Sequence, residues 1–191
     1  MSAENKDIEN IKKVFVYYKT LGEKTFSQLS DEQLFWQYNA ESNSIAILVK
    51  HLWGNMLSRW TDFLTTDGEK NSRDRDAEFQ NDISNKEELF TKWNEAWACL
   101  FTALETITSQ NLHHEVFIRN QGHTVIDAVN RQLAHYAYHI GQIVFVGKMV
   151  CDSQWQSLSI PKGNSAAFNQ EKFSEAQHTQ HFTEEFIKGK K

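Results

Sequence analysis

A chain of 191 residues with 40% hydrophobic and 13% aromatic residues, one Pro and eight Gly can bury one proper core, and it is too poor in turn residues for an all-β fold. Its net charge of -5, with no basic run beyond Lys188, Lys190 and Lys191, excludes the electrostatic footprint of a nucleic-acid binder. The first residues are charged and no stretch reaches the ~18 consecutive apolar residues of a membrane span, so the expectation is an all-α, cytoplasmic protein. Cys99 and Cys151 sit in apolar helical patterns without CxxC spacing and read as buried free thiols.

In chain order, Asp7 to Phe26 predicts an amphipathic helix with Ile8, Ile11, Val14, Phe15, Tyr18 and Leu21 on one stripe. Ser30, three before Gln33, opens a short helical connector to Ala40. A second long helix runs from about Ser44 to Phe63, capped by Ser44 or Asn43. Within it His51 stands among Ile47, Leu48, Leu52 and Met56, which turns its imidazole inward.

The stretch from Thr65 to Asp82 is charged and reads as a solvated loop. At up to ~3.3 Å per residue it outreaches the ~30 Å of a twenty-residue helix. It can therefore return the chain to the starting end of the bundle. The expected fold is a four-helix bundle, up-down-down-up, with this long crossover between helices 2 and 3. Helix 3 would start at a Ser84 to Glu87 capping box and bury Leu89, Phe90, Trp93, Trp97, Leu100, Phe101 and Leu104. Val116 to Ile118, followed by Asn120-Gln121-Gly122, predicts a small two-stranded turn, with His113, His114 and His123 at the surface. Thr124 then caps the last long helix, to Met149, with Asp127 completing a capping box. The bundle would span residues 1–155, and residues 156–191 form a strap and tail whose His178 and His181 lack an apolar face.

That last helix carries a polar row on one flank: Asp127, Arg131, His135, His139 and Gln142, at steps of three and four. His135 and His139 are separated by about 6 Å of helix rise, so their imidazoles can lean toward one point. Two core histidines satisfied by backbone or water would show the same pattern. His51 adds a third ring from another helix. Three buried imidazoles with unpaired polar atoms would each cost roughly 1–3 kcal/mol. A divalent metal removes that cost, and three protein ligands leave one position open for water or substrate. Arg131, Gln132, Asp127 and Asn55 share these polar faces and are candidates to hold the histidines or an anionic substrate.

His51 in VKHLWGNM, together with AHYAYHIGQI in the last helix, resembles the DinB/YfiT-like superfamily of metal-binding four-helix bundles, over roughly residues 5 to 152. The motif HxxxHxGQ, His135 to Gln142, is the most specific part, and NRQLAHY and WQSLSIPKGNS are similar to a bacterial branch of that superfamily. The resemblance implies a three-His site of His51, His135 and His139, often with nickel or zinc, and a bundle that commonly forms a homodimer. For some members it implies transferase or isomerase activity dependent on a low-molecular-weight thiol; Gln142 matches the signature. The functional expectation is a metal-dependent enzyme on small molecules, a bound thiol or water being activated at the three-His site. The alternative is a non-catalytic metal- or ligand-binding dimer, and a third reading is a plain bundle with core histidines.

Overall fold

The computed structural model describes residues 3–187, so the basic Lys188, Lys190, Lys191 terminus lies outside the described residues. The chain is mostly helical, with a single two-stranded sheet among the described residues. Helix α1 spans Ala3–Phe26 and α2 is the short Asp31–Leu34, closed by the full Ser30/Gln33 capping box. Helix α3, Ile45–Trp60, starts where the Ser44 hydroxyl accepts from the Ile47 N–H. It stops three residues before the expected Phe63 because Thr61 is extended and Asp62 takes φ 48.

Helix α4, Lys86–Glu105, is capped by Asn85 and not by Ser84: the Asn85 side chain accepts from the Glu88 N–H, and the Ser84 N–H donates to the Glu88 carboxylate at 2.9 Å. Strands β1, Glu115–Ile118, and β2, Gln121–Thr124, form an antiparallel hairpin. Arg119 and Asn120 at its turn take φ 55 and 57, as a two-residue turn matched to strand twist requires. Helix α5, Val125–Cys151, is capped by Thr124, whose hydroxyl accepts from the Asp127 N–H and donates to the Asp127 carboxylate at 2.6 Å. The acid thus binds the Thr124 hydroxyl and not the backbone N–H that a capping box uses.

Packing fixes which helices meet. Along α1 and α5, Phe15 meets Tyr136, Gly22 faces Ile140 and Gly147 faces Thr25 and Leu29. Along α3 and α4, the Trp53 indole donates to Glu95 at 2.8 Å, and Cys99 lies by Thr61 and Met56. Between α3 and α5 the order is reversed: His51 meets His139, while Asn55 and Trp60 meet Tyr136. Both cysteines are free, Cys151 buried and Cys99 half-buried. No helix among the described residues is long and apolar enough to cross a membrane.

Tyr136 is fully buried where these helices converge, with its hydroxyl accepting from the Trp60 indole at 2.9 Å and donating to Asn55 Oδ1 at 3.1 Å. Tyr136→Phe leaves a buried donor and a buried acceptor unpaired, each costing about 1–3 kcal/mol. A loss of at least about 2 kcal/mol in urea unfolding is the expected result.

Beyond residue 155 the chain folds back on α1 and adds α6, Ser165–Phe173, and α7, Glu184–Ile187. Gln28 brackets the Gln156 backbone, Lys13 pairs with Glu184 at 2.9 Å, and Phe182 and Phe186 pack on Tyr17. His178 is exposed, and His181 pairs with the Thr183 hydroxyl.

The stretch from Thr65 to Asp82 corrects the expectation of a solvated loop. Glu69, Arg73 and Glu78 are turned inward, where Arg59 of α3 pairs with Glu69 at 2.7 Å, while Asp74, Arg75, Asp76 and Asp82 stay exposed and Lys50 reaches out to Asp82 and the Ala77 carbonyl. Ser58 donates to the Gly68 carbonyl at 2.9 Å and accepts from the Lys70 N–H at 3.0 Å. A short 3-10 turn, Ala77–Phe79, lays this segment directly over His51.

Candidate metal centre

His51 arrives from α3, and His135 and His139 arrive one turn apart on α5. His51 Nε2 lies 3.3 Å from His135 Nε2, and His135 Nε2 lies 3.0 Å from His139 Nε2. The ligand atoms of all three lie within 4.8 Å of one another. Imidazoles on a tetrahedral ion with metal–nitrogen bonds of ~2.0–2.1 Å bring their nitrogens about 3.3 Å apart. The spacing therefore fits a shared cation.

The other side of His51 is fixed by Glu78. The Glu78 carboxylate sits 2.8 Å from His51 Nδ1 and also takes Arg73 Nε at 2.6 Å and Nη2 at 2.9 Å. Burial would raise its pKa, but the hydrogen bonds from His51 and Arg73 and the Arg73 charge hold it below the ordinary value. An ionised carboxylate only accepts, so His51 Nδ1 carries the hydrogen and its Nε2 presents a lone pair to the cluster. This carboxylate–histidine arrangement orients metal-binding imidazoles and raises their basicity. Phe79 stacks on the His51 ring at 4.7 Å between centroids.

With one ring fixed, the other two have two arrangements. If His139 donates to His135, the His51 and His135 lone pairs face each other at 3.3 Å. If His135 donates to His139, its hydrogen lies between the rings and the hydrogen of His139 sits on the buried Nδ1. A cation held by the three Nε2 atoms would take the place of the facing lone pairs or of that hydrogen, with the His139 hydrogen again on Nδ1. The residues present fit a divalent metal.

Burial, with the neighbouring rings and then Arg59 and Arg73, pushes His135 down to about 3. Burial and His51 push His139 down to about 4, opposed by Gln142. The unfolded chain takes up these protons near pH 6.5, whereas the folded metal-free protein refuses them until pH 4 or below. The stabilisation is complete above pH 6.5 and is lost as the pH falls toward 4. In metal-free protein, the thermal midpoint should fall between pH 6.5 and 5, and His135→Ala should flatten that slope.

The cluster opens onto a cleft of about 350 Å³ whose lining includes Asn55, Phe79, Arg131, Gln132 and Tyr138. Asn55 and Gln132 are buried; Arg131 is exposed at the rim with Nη1 3.1 Å from His123. Gln142 is half-buried beside His139 and is not part of the cleft lining. Asp127 is exposed on the Thr124 cap and is not brought to the cluster. His113 and His114 are exposed, and neither they nor His123 joins the three rings.

Glu78, Arg73 and Phe79 are the functional residues that the sequence reading misses. The available signal was Gly54, three residues after His51: a Cβ there would run into the Glu78 carboxylate. A small residue on the ligand face marks the space where another segment approaches.

The family described as "Protein of unknown function (DUF1572)" matches residues 2–164, a span that takes in all three histidines, the crossover and the whole of α5. Comparisons with curated proteins and with solved structures give no match.

Proposed function

We propose that this chain, which belongs to the DUF1572 family, is a divalent-metal-dependent enzyme acting on small molecules. The observation that carries the reading is the meeting of three imidazole Nε2 atoms, one of them backed by a buried carboxylate, at the floor of an open cleft. Zinc or nickel is the proposed metal. Once bound, such an ion lowers the pKa of a coordinated thiol or water, presenting a thiolate or hydroxide near neutral pH.

The chain's own residues do the rest. Glu78 holds the His51 tautomer, Phe79 covers the ring and sheds water from it, and Tyr138 and Gln132 face the space above. The proposed reaction is attack by the sulfur of a low-molecular-weight thiol, or by the oxygen of water, on an electrophilic carbon, the new bond forming as the bond to the leaving group breaks and the nucleophile's proton passing to the leaving group or to water, with S-transfer as the leading form. We read the fold as an up-down-down-up four-helix bundle of α1, α3, α4 and α5 and the chain as a member of the DinB/YfiT-like superfamily. The like-sense neighbours α1 with α5 and α3 with α4, and the HxxxHxGQ motif, support both readings.

A second reading, a non-catalytic metal- or ligand-binding homodimer, is favoured by Tyr138, Phe145 and Met149, which leave an exposed apolar stripe on α5. Metal-loaded protein incubated with a thiol and a panel of electrophiles separates the two, with His51→Ala as control. Turnover that disappears in the variant supports the enzyme; ligand binding without turnover overturns it in favour of the second reading.

A further inference from the structure

The chain holds 20 Lys and Arg residues, and all five of its arginines, Arg59, Arg73, Arg75, Arg119 and Arg131, line the histidine cleft while no lysine among the described residues does. They come from α3, the crossover, the hairpin turn and α5, so the clustering is a product of the fold and not of a basic run in sequence. No carboxylate among the described residues lines the cleft. Behind it two acids serve this group: Glu69 reaches Arg59, Arg73 and Arg119 at 2.7, 3.1 and 3.3 Å, and Glu78 takes Arg73 and His51. Five guanidinium charges thus face two carboxylates, in a protein whose net charge is -5.

The arginines divide by task. Arg59 and Arg73 are buried and hold the crossover to α3 through Glu69 and Glu78. Arg75, Arg119 and Arg131 are exposed at the rim. Arg75 lies over the Phe79 ring at 5.2 Å and Arg131 against His123, and neither has a carboxylate partner among the described residues. Arg119 is held in place from below: the Asp67 carboxylate accepts the N–H groups of Arg119 and Asn120, both at 2.8 Å, tying the hairpin turn to the crossover.

Two further groups in the lining are unsatisfied. Gln132 Oε1 and Arg59 Nε are buried with no hydrogen-bond partner among the described residues, one an acceptor and the other a donor. Arginine, unlike lysine, offers a planar fork of N–H donors that matches the two oxygens of a carboxylate or phosphate. A cleft of about 350 Å³ suits a small molecule and not a polymer.

We infer that the cleft selects an anionic small molecule, its carboxylate or phosphate gripped by Arg75, Arg119 and Arg131 while its other end lies over His51, His135 and His139. Gln132 meets a hydroxyl or N–H of the same ligand. The inference rests on the metal-site reading and supplies its substrate class: the electrophile, the thiol or both carry an acidic group.

The test uses the full chain, stripped of metal by a chelator and, separately, loaded with zinc. Each form is titrated calorimetrically at low ionic strength with inorganic phosphate and with succinate, and zinc affinity is measured alongside. The variants are Arg75→Gln, Arg131→Gln, Arg131→Lys and the double Gln variant, with Lys148→Gln on the exposed part of α5 as control. Saturable binding of at least one anion by the metal-free wild type is expected, weakened at least about fivefold by each Gln substitution and further in the double variant. Arg131→Lys should fall between, keeping the charge and losing the fork. Zinc affinity should be unchanged or tighter in the Gln variants, because a repelling charge is gone.

Absence of saturable anion binding in both forms of the wild type overturns the inference, as does binding that the Lys148 control weakens as much as the rim arginines do. Zinc binding without anion binding removes the substrate class and leaves the metal site. Anion binding that follows the arginines, in a protein that takes up no zinc, removes the metal site and leaves the anion cleft. The preference between phosphate and succinate identifies which acidic group the cleft is built for.

Discussion

Replacing His135 by alanine is expected to reduce affinity for zinc or nickel by more than about 100-fold, because loss of even an outer partner of a metal ligand costs about 10–100-fold. His135 is the middle ring, 3.3 Å from His51 Nε2 and 3.0 Å from His139 Nε2, so its removal leaves two donors on different helices with no third to complete the set. The consequence for stability can be calculated. At free metal 100 times the wild-type Kd, binding adds about 2.7 kcal/mol to the wild type. A variant with a 100-fold weaker site gains only about 0.4 kcal/mol under the same conditions. In metal-free protein the difference should vanish or reverse, since deleting His135 relieves the facing lone pairs. Thermal unfolding of both proteins with and without metal gives four midpoints. Equal metal-induced shifts in wild type and His135→Ala would remove the three-histidine site from consideration.

The elements were legible in the sequence where a local rule governed them. Ser44, Thr124 and the Ser30/Gln33 pair cap their helices because a hydroxyl three residues before a free N–H satisfies it, and that needs no tertiary information. His135 and His139 were legible for the same reason: a separation of four on one helix fixes their relative direction. His51 could be nominated from its apolar neighbours alone.

What was not legible came from pairing across distant segments. Glu69, Arg73 and Glu78 look like solvated charges, and nothing local shows that Arg59 and His51, on a buried helix face, require them as counter-charges. Asp127 erred in the other direction. It carried two readings, a partner of Thr124 at the helix start and a member of the histidine row; its carboxylate bonds the Thr124 hydroxyl and does not reach the histidines. The gathering of five arginines from four segments around one cleft likewise has no trace in any single stretch.

Glu78→Ala should produce the largest loss of stability of any single change near the site, about 3–5 kcal/mol, the usual cost of leaving a buried charge without its partner. The Glu78 side chain is 5% exposed and holds the Arg73 guanidinium on two nitrogens, leaving Arg73 only the Glu69 contact at 3.1 Å when it is gone. The same change frees the His51 ring to turn and should weaken metal binding by about 10–100-fold, a separate readout from unfolding. Gly54 makes the origin of the loss testable. A methyl at position 54 would overlap the Glu78 carboxylate, so Gly54→Ala should destabilise the wild type by displacing that group. In the Glu78→Ala background the obstacle is absent, and alanine should instead add up to about 1 kcal/mol through its better helix propensity. The double-mutant cycle is therefore expected to change sign between the two backgrounds, which two independent sites would not do. Equal costs of Gly54→Ala in both backgrounds would mean that Glu78 does not rest on α3 above His51, and the carboxylate support of the metal centre would go with it.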